Sequence, residues 1–258
     1  MCRFAIVLTC LLWLGMNSFA QPVIGTPAPN FTLTLSNPGG GSVTLSSMLG
    51  EVVYLNFFGA TCPICISDGW ISEQIYQMFL TNSDFNIYGI DVWNLPSAFV
   101  QSSFRTNSGI TYPLLVQGRN TGIAYNMETN PVPSPTDIEH RGHVIIDRQG
   151  IMRYYAIYDP LDVAEQQEMI CVLKSLLGMS PSAPHNATLA YMNETGPLRI
   201  AWQPDTTSCW LRYTVYKSFL GDFTDIELIG STTGTSYIIE TLPDSICTFH
   251  VVSEYTVP

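Results

Sequence analysis

Two cysteines with the spacing of a reactive dithiol, Cys62 and Cys65, are the residues of this chain best suited to catalysis. They closely follow the apolar run 52–58 (Val-Val-Tyr-Leu-Asn-Phe-Phe), which is typical of a buried strand. Such a pair can pass between dithiol and disulfide, because a thiolate that attacks a disulfide can be displaced by a second thiol. An inert structural disulfide and a metal site are the alternatives, and redox cycling is the leading hypothesis.

The residues after Cys62 predict a helix that would activate this cysteine. Pro63 suits a first helical turn, because the N–H that proline lacks would have no partner there. Cys62 would then lie at the helix N-terminus, where unpaired amides and the helix dipole favour a thiolate. Since the thiolate is the nucleophile, we predict a reactive Cys62. The apolar positions of the helix recur at roughly four-residue spacing: Ile66, Trp70, Ile71, Ile75, Met78 and Phe79.

Four segments carry a family resemblance. They are 24–31 (Ile-Gly-Thr-Pro-Ala-Pro-Asn-Phe), 55–65 with the dithiol, 109–115 and 144–150. In this order they resemble motifs of the periplasmic thioredoxin-like (TlpA/redoxin, AhpC/TSA-type) thiol–disulfide oxidoreductases. The resemblance covers about residues 23–178. It implies a thioredoxin-like α/β fold, in which Cys62 attacks a substrate disulfide and Cys65 resolves the mixed disulfide.

The same resemblance suggests a proton acceptor. Thioredoxins often bury an acid on the strand before the dithiol, but that position is Asn56 here. TlpA-like proteins instead carry a glutamate six residues after the first cysteine, and Asp68 occupies that position. A half-buried Asp68 would act as a general base with a raised pKa. A solvated aspartate on the helix surface is the alternative.

Arg141 stands at a departure from the family pattern. Thioredoxin-like enzymes have a cis-proline just before the strand that matches 144–147, whereas this chain has no proline in the stretch 140–143 (His-Arg-Gly-His). Peroxiredoxins carry Arg-Gly at this point, and the guanidinium stabilises their peroxidatic thiolate. By that resemblance, we expect Arg141 to lower the pKa of Cys62.

A peroxiredoxin-like thiol peroxidase is the alternative activity. The peroxiredoxin signature Pro-x-x-x-Thr-x-x-Cys is absent, because Leu55 and Gly59 stand in place of its proline and threonine. The hydroxyl that activates peroxide is therefore missing from its usual position.

The remaining histidines and cysteines allow other interpretations. His140 and His143 could complete a Cys₂His₂ zinc site, but alternation at a strand start points them to opposite sides. Cys171 lies on the predicted last helix of the first domain, and we expect it to be a buried core residue. Cys209 and Cys247 would begin antiparallel neighbouring strands, and such starts lie at opposite ends, beyond the roughly 7 Å Cα limit for a disulfide. We therefore expect both to be free thiols.

The net charge and the N-terminal segment limit where the protein can be located and which partners it can have. The net charge of −11 argues against nucleic acid as a partner. Residues 1–20 combine Arg3, the apolar run 4–14 and Ser18-Phe19-Ala20, which predicts a signal peptide cleaved after Ala20. The run is shorter than the roughly 20 residues that span a bilayer. We expect an exported protein, periplasmic or secreted, without a stable membrane span.

The chain is predicted to form two domains. A thioredoxin-like α/β domain would cover 21–178, and the Pro/Ser-containing segment 179–183 would be a linker. Residues 184–258 contain short alternating runs that predict an all-β domain. That part resembles a fibronectin type III domain in Ile200-x-Trp202, 213–216 (Tyr-Thr-Val-Tyr), 232–237, Leu242-Pro243 and Phe249-x-Val251-Val252.

These observations lead to one main functional hypothesis, an exported oxidoreductase that reduces or exchanges protein disulfides through the dithiol. Its partners would be a disulfide-bearing protein substrate and a redox partner protein, and no cofactor is implied. A secreted binding module with a non-catalytic thioredoxin scaffold is the alternative from another class.

Overall fold

The computed structural model describes residues 24–36, 40–127, 140–157, 161–192, 197–204, 209, 211–219, 224–240 and 247–256. The predicted signal peptide over 1–20 lies outside these residues, as does the Pro-rich segment 130–136, for which the sequence predicts an irregular loop. Within the described ranges, no helix combines the length and the apolar character needed to cross a membrane.

A seven-stranded mixed sheet forms the centre of the first part of the chain, with strand order β2-β1-β5-β4-β3-β6-β7. Strand β4 lies parallel to both β3 and β5, and the other neighbours are antiparallel. The alternating runs 31–35 and 42–45, which flank a Pro/Gly turn, predict a hairpin, and the pairing of β1 with β2 confirms it. The strands are β1 (Thr32–Leu35), β2 (Ser42–Thr44), β3 (Val52–Phe58), β4 (Phe85–Asp91), β5 (Leu114–Val116), β6 (Gly142–Ile146) and β7 (Met152–Ile157).

Strand β3 carries the dithiol at its C-terminal end and is buried along its whole length. Leu55 and Phe57 belong to the core on one face of the sheet, and Tyr54 and Phe58 to the core on the other. A strand covered on both faces needs apolar residues at successive positions, which explains its unbroken apolar run.

Helices cover both faces of this sheet. The sequence predicts a helix over 96–106, and the structure has a continuous helical run from Ser97 to Ser108 with a π-helical middle. The helix after Val163 begins with a capping box made by Asp162 and Glu165. The helices are a 3₁₀ turn (Leu45–Met48), α1 (Pro63–Phe79), α2 (Ser97–Val100), the π segment (Gln101–Arg105), α3 (Thr106–Ser108), α4 (Arg119–Ala124) and α5 (Val163–Leu176).

The last part of the chain forms two three-stranded antiparallel sheets, ordered β12-β9-β8 and β11-β10-β13. Trp202 and Tyr213 pack between them with ring centroids 5.1 Å apart, as expected for core residues. Two packed sheets around one apolar cluster are consistent with a second domain of β-sandwich type. Its strands are β8 (His185–Tyr191), β9 (Leu198–Gln203), β10 (Leu211–Ser218), β11 (Glu227–Thr232), β12 (Ser236–Ile239) and β13 (Thr248–Tyr255).

A disulfide between Cys171 and Cys209 joins helix α5 to the segment that enters β10. The prediction that Cys209 is a free thiol is therefore wrong, and Cys171 is a buried core residue that is also bonded. The argument against a Cys209–Cys247 bond is confirmed, because Leu211 pairs with Tyr255 at the far end of β13 from Cys247. The sequence argument failed because the true partner lies on a helix of the other predicted domain.

Polar contacts reinforce this junction between α5 and the β-sandwich. The Ser175 hydroxyl donates to the Tyr255 carbonyl at 3.3 Å, and the Ser253 hydroxyl donates to the Ser182 carbonyl at 3.0 Å. The Lys174 ammonium lies 5.4 Å from the centroid of the Tyr255 ring. These contacts and the disulfide connect the two predicted domains in addition to the linker.

Candidate active site around the Cys62–Cys65 dithiol

Cys62 caps the N-terminus of helix α1, directly after strand β3 and a short turn. Its sulfur accepts a hydrogen bond from the backbone N–H of Cys65 at 3.3 Å, and Pro63 begins the helix. The predicted helix start is confirmed. The Cys65 amide is one of the N-terminal helix amides that favour a thiolate on Cys62.

The pKa values of the two thiols are shifted in opposite directions. The pKa of Cys62 is lowered to about 5, by a hydrogen bond from the Cys65 thiol, by the Cys65 amide and by His140, against the effect of burial. The pKa of Cys65 is raised by burial and by its hydrogen bond to and charge repulsion from Cys62. At neutral pH the pair therefore holds one thiolate, on Cys62, and one thiol, on Cys65.

His140 is the residue at this site that the sequence interpretation undervalued. One ring nitrogen of His140 and the sulfurs of Cys62 and Cys65 lie within 4.8 Å of one another. The His140 carbonyl also accepts from the Cys65 thiol at 3.6 Å. Its position one residue before the place of the family's cis-proline was the available signal, because that segment packs against the dithiol in this fold.

The strand argument predicted that His140 and His143 point to opposite sides, and this is confirmed. His143 does not lie at the dithiol. Its Nδ1 lies 2.8 Å from the Tyr54 hydroxyl, and its side chain is buried. Burial, with the charge of Arg141, lowers the pKa of His143 to about 4. A Cys₂His₂ set is therefore not formed, and Cys62, Cys65 and His140 are the group with suitable ligand atoms among the described residues.

Asp68 lies on α1 with only 4% of its surface exposed, so the alternative of a solvated aspartate is wrong. Its Oδ2 has no hydrogen-bond partner in the described part of the chain. Burial raises the pKa of Asp68 to about 6, opposed by the Leu161 backbone and the charge of Arg141. The Asp68 charge in turn contributes to the raised pKa of Cys65, which shows that the two groups are electrostatically coupled.

Arg141 is half-buried in the segment that precedes β6. Its charge lowers the pKa of Asp68 and that of His143. His140 is among the groups that lower the pKa of Cys62. Direct stabilisation of Cys62 by Arg141 stays a prediction, and the effect of its charge on the pKa of Asp68 is the larger one at this site.

A second group that the sequence interpretation missed lies at the C-terminal end of β4. The Trp93 ring lies 4.7 Å from the His140 ring, and a Cβ added to Gly59 would come within 2.5 Å of Trp93 Cε2. The aromatic ring therefore fills the space where a side chain at position 59 would project. Since β3 and β4 are parallel, the residues after both strands meet at one sheet edge.

Asp91, the last residue of β4, holds this edge together. It is fully buried, and its Oδ2 accepts from the Leu95 N–H at 2.7 Å. Burial raises the pKa of Asp91 to about 6, against the backbone N–H groups of Leu95, Trp93 and Ala60. The hydrogen bond from Leu95 thus holds the loop that carries Trp93 against the end of β4.

Comparisons with known proteins agree with this geometry. The AhpC/TSA family matches residues 24–155, just over half of the chain. The thiol-disulfide oxidoreductase ResA of Bacillus subtilis is 25% identical over 168 residues, which cover 65% of this chain and 88% of that protein. ResA of Geobacillus kaustophilus is 28% identical over 150 residues, covering 55% and 82%.

A solved structure supports the same assignment. The putative protein disulfide isomerase from Bacteroides thetaiotaomicron is 30% identical with a TM-score of 0.51, over 60% of this chain and 91% of that one. The family match ends at residue 155, before the C-terminal β-sandwich. From the family match and the paired cysteines at the helix N-terminus, the chain belongs to the AhpC/TSA family and is a thioredoxin-like thiol–disulfide oxidoreductase.

Proposed function

We propose that the Cys62–Cys65 dithiol reduces or exchanges disulfides of protein substrates outside the cytoplasm. The observation that carries this proposal is the position of Cys62 as the N-cap of α1, where its sulfur accepts from the Cys65 N–H at 3.3 Å. In this position the pKa of Cys62 is lowered and that of Cys65 is raised. A low pKa supplies a nucleophile at neutral pH, and a protonated neighbour stays in reserve for the second step.

In the first step, the Cys62 thiolate attacks one sulfur of the substrate disulfide. The substrate S–S bond breaks, a Cys62–substrate mixed disulfide forms, and the leaving substrate thiolate takes up a proton. Ile64, 48% exposed beside Cys62, offers an apolar contact to a polypeptide docked over the dithiol.

In the second step, Cys65 resolves the mixed disulfide. The hydrogen bond to Cys62 and the Cys62 charge, which both raise the pKa of Cys65, disappear once Cys62 is bonded to substrate. The Asp68 carboxylate accepts the Cys65 proton, directly or through one water. The Cys65 thiolate then attacks the Cys62 sulfur, which releases the second substrate thiolate and leaves a Cys62–Cys65 disulfide for a redox partner protein to reduce.

Export is supported by the second cysteine pair. The Cys171–Cys209 disulfide joins residues 38 positions apart, and structural disulfides persist in oxidising compartments and are rare in the cytosol. The signal-peptide prediction for residues 1–20 points the same way. The role of residues 184–258 as a type III-like module that tethers or presents substrates rests on resemblance alone.

Disulfide exchange is favoured over peroxidase activity by the residue at position 59. Peroxide activation in the peroxiredoxin signature needs a hydroxyl three residues before the reactive cysteine. Position 59 is glycine, and the Trp93 ring occupies the adjoining space. A threonine there would require Trp93 to move.

Insulin reduction tests the proposal. Reduced protein should accelerate it in the presence of a small thiol, and Cys62→Ser should abolish the acceleration. Cys65→Ser should accumulate a mixed disulfide with the substrate. Cys247→Ser, which removes a free cysteine in the β-sandwich, is the matched control and should keep the full rate. Equal, negligible turnover by the original protein and by Cys62→Ser would instead favour a non-catalytic binding module.

A further inference from the structure

We propose that the reduced dithiol and the His140 imidazole form a binding site for a soft d¹⁰ metal ion, Zn²⁺ or Cu⁺. This goes beyond disulfide exchange, which needs no metal. The inference starts from a juxtaposition: the two sulfurs and one imidazole nitrogen, brought together from α1 and from the segment before β6, lie within 4.8 Å of one another.

The separation of these atoms suits one shared ion after a small adjustment. Zinc binds thiolate sulfur at about 2.3 Å and imidazole nitrogen at about 2.0 Å in a tetrahedral arrangement. Tetrahedral angles then separate the ligand atoms by roughly 3.5–3.8 Å. The largest separation between ligand atoms therefore has to shorten by about 1 Å at most.

The donor set selects the class of ion. Two thiolates and one imidazole are soft to borderline ligands, which favour Zn²⁺ and Cu⁺ over Mg²⁺ or Ca²⁺. Among the described residues the group has three members, so a fourth position is left for water, a small thiol or a ligand from a partner. Three protein ligands with an open position also distinguish this set from a closed structural zinc site.

The surroundings fix His140 in place for this role. The Trp93 ring packs against the imidazole at 4.7 Å, and the His140 carbonyl accepts from the Cys65 thiol. A ligand that is already held by its neighbours loses little conformational freedom on binding. Asp91 accepts from the Leu95 N–H and so holds the loop that carries Trp93 at the end of β4.

Metal binding would depend on the redox state of the dithiol. A Cys62–Cys65 disulfide has no thiolate to offer, so only the reduced protein should bind. Bound metal should also protect both cysteines from alkylation, because the same sulfur lone pairs serve the metal and the electrophile.

The experiment titrates the reduced full chain with Co²⁺ under nitrogen. Cobalt serves as a spectroscopic probe, since thiolate ligation gives a charge-transfer band and four-coordination intensifies the visible bands. We expect one equivalent bound, displaced by one equivalent of Zn²⁺, and no bands with the oxidised protein. Competition with a chromophoric chelator should show that His140→Ala weakens Zn²⁺ binding at least about tenfold.

Three variants sharpen this test. His185→Ala removes an exposed histidine of strand β8 and should leave affinity and spectrum unchanged. His140→Cys supplies another soft ligand and should restore binding with a stronger charge-transfer band, even if His140→Ala folds poorly. Cys247→Ser should keep the one-to-one stoichiometry.

Three outcomes would overturn the site: no one-to-one binding by the reduced protein, equal binding by the oxidised protein, or equal affinity of His140→Ala and the original chain. Insulin reduction by metal-free protein is measured in parallel. Its persistence would show that the metal proposal has failed while the proposed function stands.

Discussion

The two cysteine pairs of this protein have opposite settings. Cys62 and Cys65 lie one turn apart at the start of α1, where the Cys65 amide and His140 stabilise a thiolate. Cys171 lies in the middle of α5, where the helix amides are already paired, and it bonds to Cys209 across the junction with the β-sandwich. The comparison teaches that position on a helix, rather than burial, separates a reactive cysteine from a structural one, since all four are buried.

The second pair also determines how the molecule holds together. A bond from α5 to the start of β10 closes a 38-residue loop that contains the predicted linker. Cross-links of this kind stabilise a protein mainly by restricting the unfolded chain. The β-sandwich is thus fixed to the same helix that packs against the thioredoxin-like core.

The largest expected effect on stability comes from removing this bond. The Cys171→Ser, Cys209→Ser double variant should lose about 2–4 kcal/mol of unfolding free energy, the range expected for a loop of this length. Urea denaturation gives this value. The rate of insulin reduction by the folded protein should stay unchanged, because neither cysteine takes part in exchange.

Cys247→Ser provides the matched cysteine control and should lie within about 0.5 kcal/mol of the original protein. A double variant as stable as this control would mean that the bond contributes no stability. A changed exchange rate would mean that the β-sandwich shapes the dithiol, and the contrast between the two pairs would fail.

Local patterns predicted most of the fold. The apolar run that is β3, the Cys62-led helix and the stripe of α5 could be identified because buried strands and amphipathic helices have distinct periods. Strand β8 was missed because all seven of its residues are exposed, so it carries no alternation of apolar and polar residues. Strand β11 was missed for a similar reason, as none of its residues is buried.

The site could be predicted only where its residues lie on one element. Cys62, Cys65 and Asp68 all belong to the start of α1, and their spacing along the sequence carries the information. His140 and Trp93 reach the dithiol from the ends of other segments, and that proximity depends on strand order, which a single sequence does not contain. The disulfide bond of Cys209 could not be predicted for the same reason, because its partner Cys171 lies in the other predicted domain.

An intermediate effect is expected at Asp68. Because the folded protein raises the pKa of this carboxyl to about 6 while the unfolded value is about 4, the folded state binds the proton more tightly. Wild-type stability therefore falls as pH rises from 4 to 6 and stays at the lower level above. Asp68→Asn lacks this loss and should be about 1–2 kcal/mol more stable at pH 8, with no such gain at pH 4.

The same variant should exchange disulfides about tenfold more slowly, because the resolving step loses its base. Asp84→Asn is the matched control. Asp84 is exposed, its pKa is lowered by Arg148, and its loss should leave the exchange rate unchanged. An Asp68→Asn protein with the normal rate and normal trapping of mixed disulfides would remove Asp68 from the mechanism, whatever its stability.

The smallest effect is expected at Arg141, where the sequence and the structure emphasise different neighbours. The family pattern predicts that its charge lowers the pKa of Cys62, whereas the structure shows its field acting on Asp68. Arg141→Ala should raise the pKa of Asp68 by up to about one unit, which moves the pH midpoint of the resolving step upward. Arg141→Lys keeps the charge and should restore the original midpoint.

The same variants decide the Cys62 hypothesis if alkylation is followed from pH 3.5 to 8. With a Cys62 pKa of about 5, even a shift of about one unit leaves most of the thiol ionised at pH 7, so the neutral rate changes little. The midpoint of the alkylation profile is the informative quantity, and direct stabilisation predicts a higher midpoint for Arg141→Ala than for Arg148→Ala, a matched loss of a surface cation. If Arg141→Ala and Arg148→Ala have the same alkylation midpoint, but Arg141→Ala shifts the pH midpoint of the resolving step, then Arg141 acts on Asp68 alone. Coincidence of both profiles would leave this arginine no part in the chemistry, and His140 would then be the side chain outside α1 that lowers the pKa of Cys62.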